Sequence, residues 1–159
     1  MIKDTEKAFL WIVNILEKHN IVYKISGGFA ARLYGVDREL ADIDIEVEDH
    51  SINLIAQHIP SEYIIYGPML YKDENWELNL LTLLYEGQEI DIASVESKIF
   101  NQVSQQWESL EDTLDYVKFM DVFGKKVPVE TIEKLIAYKS KLFRDVDQED
   151  IRQLKLLAK

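Results

Sequence analysis

The stretch that decides the fold is residues 27–47, GGFAARLYGVDRELADIDIEV, where two adjacent glycines precede a short helical segment and an alternating acidic run. Residues 21–25 are rich in β-branched and aromatic side chains and end at Ser26-Gly27-Gly28, which predicts a strand that enters a tight turn. A short helix is expected over 29–34. A junction of this kind presents backbone N–H groups that can bind an anion such as phosphate, but many such junctions are simple turns.

The acidic run at 41–47 alternates strictly between charged and apolar residues, which predicts a β-strand with two different faces. Asp42 and Asp44 project from one face, so they can share a divalent cation through their oxygens. Without a cation they would repel each other, and one of them would hold its proton. A solvent-facing acidic strand that continues to Glu46 would give the same pattern, so both interpretations stay open at this point.

A second acidic strand is expected at 89–95, where Asp91 stands between two isoleucines. If this strand lies beside the first one, Asp91 completes a cluster of three carboxylates near the glycine turn. Such a cluster suits phosphoryl or nucleotidyl transfer, in which metal ions neutralise phosphate charge and a carboxylate helps to deprotonate an attacking hydroxyl.

The rest of the chain predicts an α/β (α+β) fold with a small mixed, mostly antiparallel sheet backed by helices on one face. Residues 96–115 are polar and indicate no clear element. We expect one domain over 1–159, with a core at about 1–129 and a helical C-terminal part at about 130–159. The further elements expected are helices at 4–18 (N-cap Asp4), 52–59, 130–143 and 148–157, and strands at 63–71, 76–85, 116–120 and 122–129, the last broken by a turn at 124–126.

Composition limits the function classes. The net charge of −11 disfavours an extended nucleic-acid surface, because such surfaces are built from lysine and arginine. The chain has no cysteine, which excludes disulfides and thiolate metal sites. Apolar runs are short and broken by charge, and the N-terminal residues lack the apolar core of a secretion signal. We therefore expect a cytoplasmic protein that does not contact a membrane.

Taken together, the motifs resemble the nucleotidyltransferase fold of the DNA polymerase β superfamily. The similarity is greatest to its small stand-alone members, such as AbiEii-type toxins, minimal nucleotidyltransferases and lincosamide or aminoglycoside adenylyltransferases. It covers about residues 21–157. The motifs that carry it are Gly27-Gly28, Arg38, Asp42-Ile43-Asp44 and Ile90-Asp91-Ile92, together with the C-terminal segment VPVETIEKLIAYKSKLFRDVDQEDIRQL at 127–154, where Lys139, Arg144, Asp147 and Asp150 fall on the recurring positions.

The resemblance implies transfer of a nucleoside monophosphate from an NTP, such as ATP, to a hydroxyl of a small molecule, a protein or RNA, with release of pyrophosphate. It implies two Mg²⁺ ions on Asp42, Asp44 and Asp91, which would also be the catalytic residues. Members that act as toxins have antitoxin partners, so a partner protein is expected if this chain is one of them. The nucleotide-binding residues implied are Gly27, Gly28, Ser26, Arg38 and Lys139, although many members carry their serine after the glycines rather than before them.

Alternatives remain for the function and for single residues. The chain could be a non-catalytic regulatory or antitoxin-type protein of the same fold. An Asp-x-Asp glycosyltransferase needs a longer chain. Arg38 would bind phosphate or pair with Glu39 or Asp42, and Lys139 would bind phosphate or be solvated. Three further groups are expected in structural roles. Asp147 and Asp150 are expected at the start of a helix, and the histidines His19, His50 and His58 have no metal-site spacing. The aromatic residues are expected to pack in the core or across strands, with base stacking by one of them as the alternative: Tyr63, Tyr66, Tyr71 and Trp76. Acceptor specificity is expected within 96–115 or 63–85.

Overall fold

The computed structural model describes residues 2–111 and 113–158, so positions 1, 112 and 159 of the expected domain lie outside the described residues. The described chain contains helices α1 (Thr5–Lys18), α2 (Gly27–Leu33), α3 (Asp49–Gln57), α4 (Ile132–Leu142) and α5 (Asp145–Leu157). Its strands are β1 (Tyr23–Ile25), β2 (Asp42–Val47), β3 (Ile64–Lys72), β4 (Trp76–Tyr85), β5 (Gln88–Asn101), β6 (Gln106–Glu111), β7 (Val117–Val122) and β8 (Lys125–Glu130).

These strands form one sheet in the order β3-β4-β5-β2-β1-β8-β7, and β6 pairs with β5. The β2–β5 and β1–β8 pairs are parallel, whereas the β1–β2, β3–β4, β4–β5, β5–β6 and β7–β8 pairs are antiparallel. The expectation of an α/β fold with a mixed, mostly antiparallel sheet is therefore confirmed. The parallel pairing of β2 with β5 places the two acidic strands side by side.

The alternation in β2 separates a core face from a polar face. Ile43, Ile45 and Val47 are at most 1% exposed and belong to a core that also includes the apolar residues of α1 and α3. Burial of each such side chain contributes about 1.5–3 kcal/mol, so the register of β2 is firmly set. Because the period of a strand is two, Asp42 and Asp44 must lie on the other face, where α2 and α4, rather than α1 or α3, are their helical neighbours.

The structure confirms some local predictions and moves the bounds of others: the short helix expected over 29–34 is α2, which begins at Gly27. Asp4 caps α1 as expected, since its carboxylate accepts a hydrogen bond of 3.0 Å from the N–H of Lys7. The strand expected at 76–85 is β4. The turn expected at 124–126 lies instead at Phe123-Gly124, where both residues have positive φ, as a tight hairpin turn requires. Helix α5 begins at Asp145, three residues earlier than expected.

The polar segment 96–115, apart from residue 112, contains the end of β5 and all of β6. Its pattern gave no strand signal because the β4–β5 register shifts between Leu78 and Leu80, which interrupts the regular alternation along β5. Beyond this shift, β3, β4, β5 and β6 continue as an extension of the sheet. No helix among the described residues has both the length and the apolar character needed to cross a membrane.

Candidate active site

Three carboxylates meet where β2 and β5 run in parallel. Asp44 is the register partner of Asp91, and Asp42 is the partner of Glu89. Asp42, Asp44 and Asp91 each offer a carboxylate oxygen, and these oxygens all lie within 4.8 Å of one another. The sequence expectation that the two acidic strands are neighbours is therefore confirmed, and it places three half-buried acidic groups at one point of the polar face.

Burial and the nearby carboxylates raise the pKa of Asp44, Asp91 and Glu89. Burial, followed by the charges of Asp91 and Asp42, raises the pKa of Asp44 to about 7, although the backbone N–H of Phe29 and the charge of Lys139 act in the opposite direction. Burial is also the main cause that raises the pKa of Asp91 to about 6. A hydrogen bond with Asp42, together with burial, raises the pKa of Glu89 to about 7. The cluster therefore holds protons near neutral pH unless a cation neutralises it.

The third acidic residue of the β2 face is held in a different way. Glu46 is the register partner of Lys24 in β1, whose ammonium nitrogen lies 3.9 Å from Glu46 Oε2 and 3.3 Å from Glu130 Oε1. Lys24 is fully buried. The acidic face of β2 is thus divided into an ion-paired end and a carboxylate cluster, which is not what a uniformly solvated strand face would give.

The glycine pair lies directly against this cluster. Gly27 has φ of +62°, and a Cβ atom there would stand 2.5 Å from Oδ2 of Asp44. A Cβ atom on Gly28 would stand 2.9 Å from Nη1 of Arg38. The two glycines therefore leave room for an acidic and a basic side chain to lie against the backbone at the start of α2. Ser26 is buried and precedes α2, and its side chain makes no capping hydrogen bond there.

The basic residues of the site share one carboxylate. Asp150, which is 1% exposed, accepts a hydrogen bond of 2.9 Å from Nζ of Lys139 and a second one from Arg38. Lys139 is also only 1% exposed, so the alternative in which it is solvated is wrong. The expected ion-pair partners of Arg38 are wrong as well, because its partner is Asp150. Asp150 itself is a buried ion-pair residue rather than a helix-start residue.

Asp147 does act at the start of α5, as expected. Its carboxylate accepts hydrogen bonds from the backbone N–H of Arg144 at 3.1 Å and from Nε of the same residue at 2.7 Å. Asp147 also lies 3.9 Å from Nζ of Lys139. Helix α5 thereby ties the basic end of α4 to the loop that carries Arg38.

The carboxylate cluster, the two glycines and the basic residues Arg38 and Lys139 line one continuous cleft of about 610 Å³. All of the site residues expected from the sequence, Ser26, Gly27, Gly28, Arg38, Asp42, Asp44, Asp91 and Lys139, contribute to its wall. Tyr66, Tyr71 and Trp76 line it too, whereas Tyr63 packs edge-to-face against Trp11 at 5.4 Å, as expected for a packing residue.

Two residues of the site, Thr82 and Tyr138, were not predicted from the sequence. The hydroxyl of Thr82 donates a hydrogen bond of 2.7 Å to Oδ1 of Asp91, its register partner, and so orients that carboxylate. Tyr138 of α4 lines the cleft, and burial raises its pKa well above the usual value, so that its hydroxyl stays protonated. Thr82 could have been predicted as a site residue only from the order of the strands. Tyr138 could have been predicted from its position next to Lys139 in the C-terminal segment.

Comparison with known proteins supports the fold. The sequence matches no known protein family and no curated protein. Among solved structures, a protein from Thermotoga maritima, provisionally described as a nucleotidyltransferase, has a TM-score of 0.73 at 22% identity, covering 94% of this chain and 91% of the other. The lincosamide adenylyltransferase LnuA, solved with bound lincomycin, has a TM-score of 0.60 at 17% identity, covering 98% and 99%.

A third similar structure is the antibiotic-resistance factor ANT(2'')-Ia in complex with an adenylylated tobramycin. It has a TM-score of 0.55 at 14% identity, covering 96% of this chain and 93% of the other. The chain therefore has the nucleotidyltransferase fold, and the resemblance seen in the sequence is confirmed at that level. A shared fold does not settle the activity, which has to be argued from the site.

Proposed function

We propose that the protein transfers a nucleoside monophosphate from an NTP to a hydroxyl group, with Mg²⁺, and releases pyrophosphate. The observation that carries this proposal is the clustering of Asp42, Asp44 and Asp91 on adjacent strands beside Gly27 and Gly28 at the start of α2. Three oxygen donors within 4.8 Å suit a hard cation such as Mg²⁺. The raised pKa of Asp44 and of Asp91 supports the same proposal, because a bound cation would offset both the burial and the carboxylate repulsion that raise it.

In this proposal, Asp42, Asp44 and Asp91 would hold up to two ions, which supply neutralisation of the triphosphate charge when bound. The acceptor oxygen forms a bond to the α-phosphorus of the NTP. The bond between that phosphorus and the oxygen bridging to the β-phosphate breaks, and pyrophosphate leaves. Asp91, oriented by Thr82, accepts the proton of the acceptor hydroxyl.

The triphosphate would lie between the two glycines at the start of α2 and the basic side chains of Arg38 and Lys139. Gly27, Gly28 and Ser26 line this part of the cleft, and Arg38 and Lys139 stand nearby with their charges shared by Asp150. Phosphate oxygens would accept further hydrogen bonds from Arg38 and Lys139, or would replace Asp150 as the partner of one of these two side chains. We expect ATP to be the donor. We also expect the protein to be cytoplasmic. A protein partner of the toxin–antitoxin kind remains a prediction.

The first test is the thermal midpoint of unfolding with each NTP, with and without Mg²⁺. A ligand at 100 times its dissociation constant stabilises the folded state by about 2.7 kcal/mol, which shifts the midpoint by several degrees. We expect a Mg²⁺-dependent shift in the wild type, no shift in Asp44→Asn, and a retained shift in Asp121→Asn, which removes an exposed carboxylate on β7. If no NTP shifts the wild type, the donor site is refuted, and the non-catalytic regulatory alternative becomes the better hypothesis.

A further inference from the structure

The cleft continues beyond the carboxylates onto the sheet extension, where its wall changes in chemistry. Residues that are register partners project to the same side of a sheet, so the pairings define rows across it. The first row runs Tyr66, Thr82, Asp91 and Asp44 and reaches the cluster. The next row runs Met69, Leu80, Ala93 and Glu46, whose carboxylate is paired with Lys24. The row after it is uncharged and runs Tyr71, Leu78, Ser97 and Leu110.

This apolar wall, defined as Tyr66, Tyr71, Trp76, Leu78, Leu80, Leu110 and Tyr138, lines the same cleft as the carboxylates. Trp76 and Tyr138 close it from the side of α4, with their ring centroids 6.1 Å apart. Thr82 and Leu78 are four residues apart on β4, which corresponds to about 13 Å along a strand. The wall therefore extends from the reacting groups over the length of a molecule with two or three rings.

Charge is scarce along this wall. Asp73 and Arg144 are the charged residues that line its far end among the described residues. The Asp73 carboxylate already accepts hydrogen bonds from the Tyr71 hydroxyl at 2.7 Å and from the N–H groups of Asn75 and Trp76, both at 2.8 Å. Arg144 is bound to Asp147. A molecule with several ammonium groups would lose hydration there without finding free carboxylates.

We propose that this wall binds the acceptor, and that the acceptor is a small alcohol with a flat, ring-containing apolar body and at most one positive charge. The inference rests on the proposed function and adds to it the chemical class of the second substrate. Polycationic amino sugars do not match the wall for the reason just given. RNA does not match it either, because among the described residues Arg144 is the cation that lines this end of the cleft, and it is already paired with Asp147.

Binding can be measured without nucleotide by NMR, because the chain has three tryptophans and each contributes one indole N–H signal. The probes are naphthylethanol, a neutral aromatic alcohol, and deoxystreptamine, a cyclic alcohol of similar size with two ammonium groups. We expect naphthylethanol to shift the Trp76 signal in a saturable way and to leave Trp11 and Trp107, which lie outside the cleft, unchanged. Deoxystreptamine should bind at least ten times more weakly.

A matched pair of variants tests the location. Leu78→Lys places a charge in the wall, whereas Leu70→Lys places the same charge on the neighbouring strand at a residue that is 57% exposed and lies outside the cleft. We expect Leu78→Lys to weaken naphthylethanol binding at least tenfold and Leu70→Lys to leave it unchanged. If Leu78→Lys does not fold, Leu110→Lys and the neutral Leu78→Thr take its place, with the amide spectrum as the check on folding.

Transfer is then measured as pyrophosphate released from a mixture of the four NTPs with Mg²⁺. Release that is stimulated by naphthylethanol and reduced in Leu78→Lys would support the inference. A Mg²⁺-dependent NTP shift together with no effect of naphthylethanol on Trp76, or preferred transfer to deoxystreptamine, would leave the proposed function standing and overturn the acceptor class. Naphthylethanol binding without any NTP shift would overturn the acceptor role together with the proposed function.

Discussion

Replacement of Asp44 by asparagine should make the metal-free protein more stable, although it removes a residue that we place in the active site. Asparagine has nearly the shape of aspartate but no charge, so the variant avoids the cost of an ionised group that is partly buried beside Asp91 and Asp42. In this protein a residue needed for function would thus be unfavourable for the stability of the empty fold.

The magnitude follows from the pKa. Asp44 titrates at about 7 in the folded protein and at about 3.9 in the unfolded chain, and each pH unit of difference corresponds to about 1.4 kcal/mol. The folded state holds the proton more tightly, so this contribution to wild-type stability is intact below about pH 4 and is lost as the pH rises to about 7. The advantage of asparagine should therefore be near zero below pH 4, about 1.5 kcal/mol at pH 5 and up to about 4 kcal/mol at pH 8.

The assay is urea unfolding of wild type and Asp44→Asn at pH 5 and pH 8 in the presence of EDTA, repeated at pH 8 with excess Mg²⁺. Asp121→Asn, on the exposed side of β7, is the control and should match the wild type at both pH values. Mg²⁺ should stabilise the wild type and leave Asp44→Asn unchanged. If Asp44→Asn is less stable than the wild type at pH 8 without metal, the ionised carboxylate of Asp44 does not destabilise the empty fold, and a cation site at the three carboxylates is refuted.

The remaining predictions concern the glycine turn and the buried ion pair. Gly27→Ala should cost about 1–3 kcal/mol more than Gly124→Ala in urea unfolding, because both positions have positive φ but only the first places Cβ within 3.0 Å of Asp44 atoms, whereas the second has open space. Equal losses would show that Asp44 moves aside freely. Lys139→Met should destabilise by about 3 kcal/mol, because it leaves Asp150 with less compensation in a buried site. The double variant Lys139→Met/Asp150→Leu should recover part of that lost stability, because it removes the uncompensated carboxylate as well. If the double variant is less stable than Lys139→Met, the uncompensated charge of Asp150 is not the cause of the loss.

The polar and apolar faces of β2 could be predicted from the sequence because a two-residue period fixes which side chains share a face. Asp42 and Asp44 therefore had to point together, and only their neighbours were in question. That β5 lies beside β2 is a matter of topology, which local pattern does not contain. The extension of β5 past residue 95 could not be predicted, because the register shift near Leu78 removes the alternation on which strand prediction depends.

The burial of Lys139 could have been predicted from the spacing of residues along α4 and α5, although most lysines on helices are solvated. In α4 the buried positions are Leu135, Lys139 and Leu142, and in α5 they are Asp147, Asp150 and Leu154, each at the spacing of one helix face. A lysine on an apolar stripe and two aspartates on the stripe of the next helix predict a buried ion pair, because neither charge would be stable there alone. General experience of lysine, which is solvated on most helices, pointed the other way. The spacing within the helix carries more information than the residue type, and it places Lys139 where a triphosphate beside Asp44 would meet a cation already fixed in position.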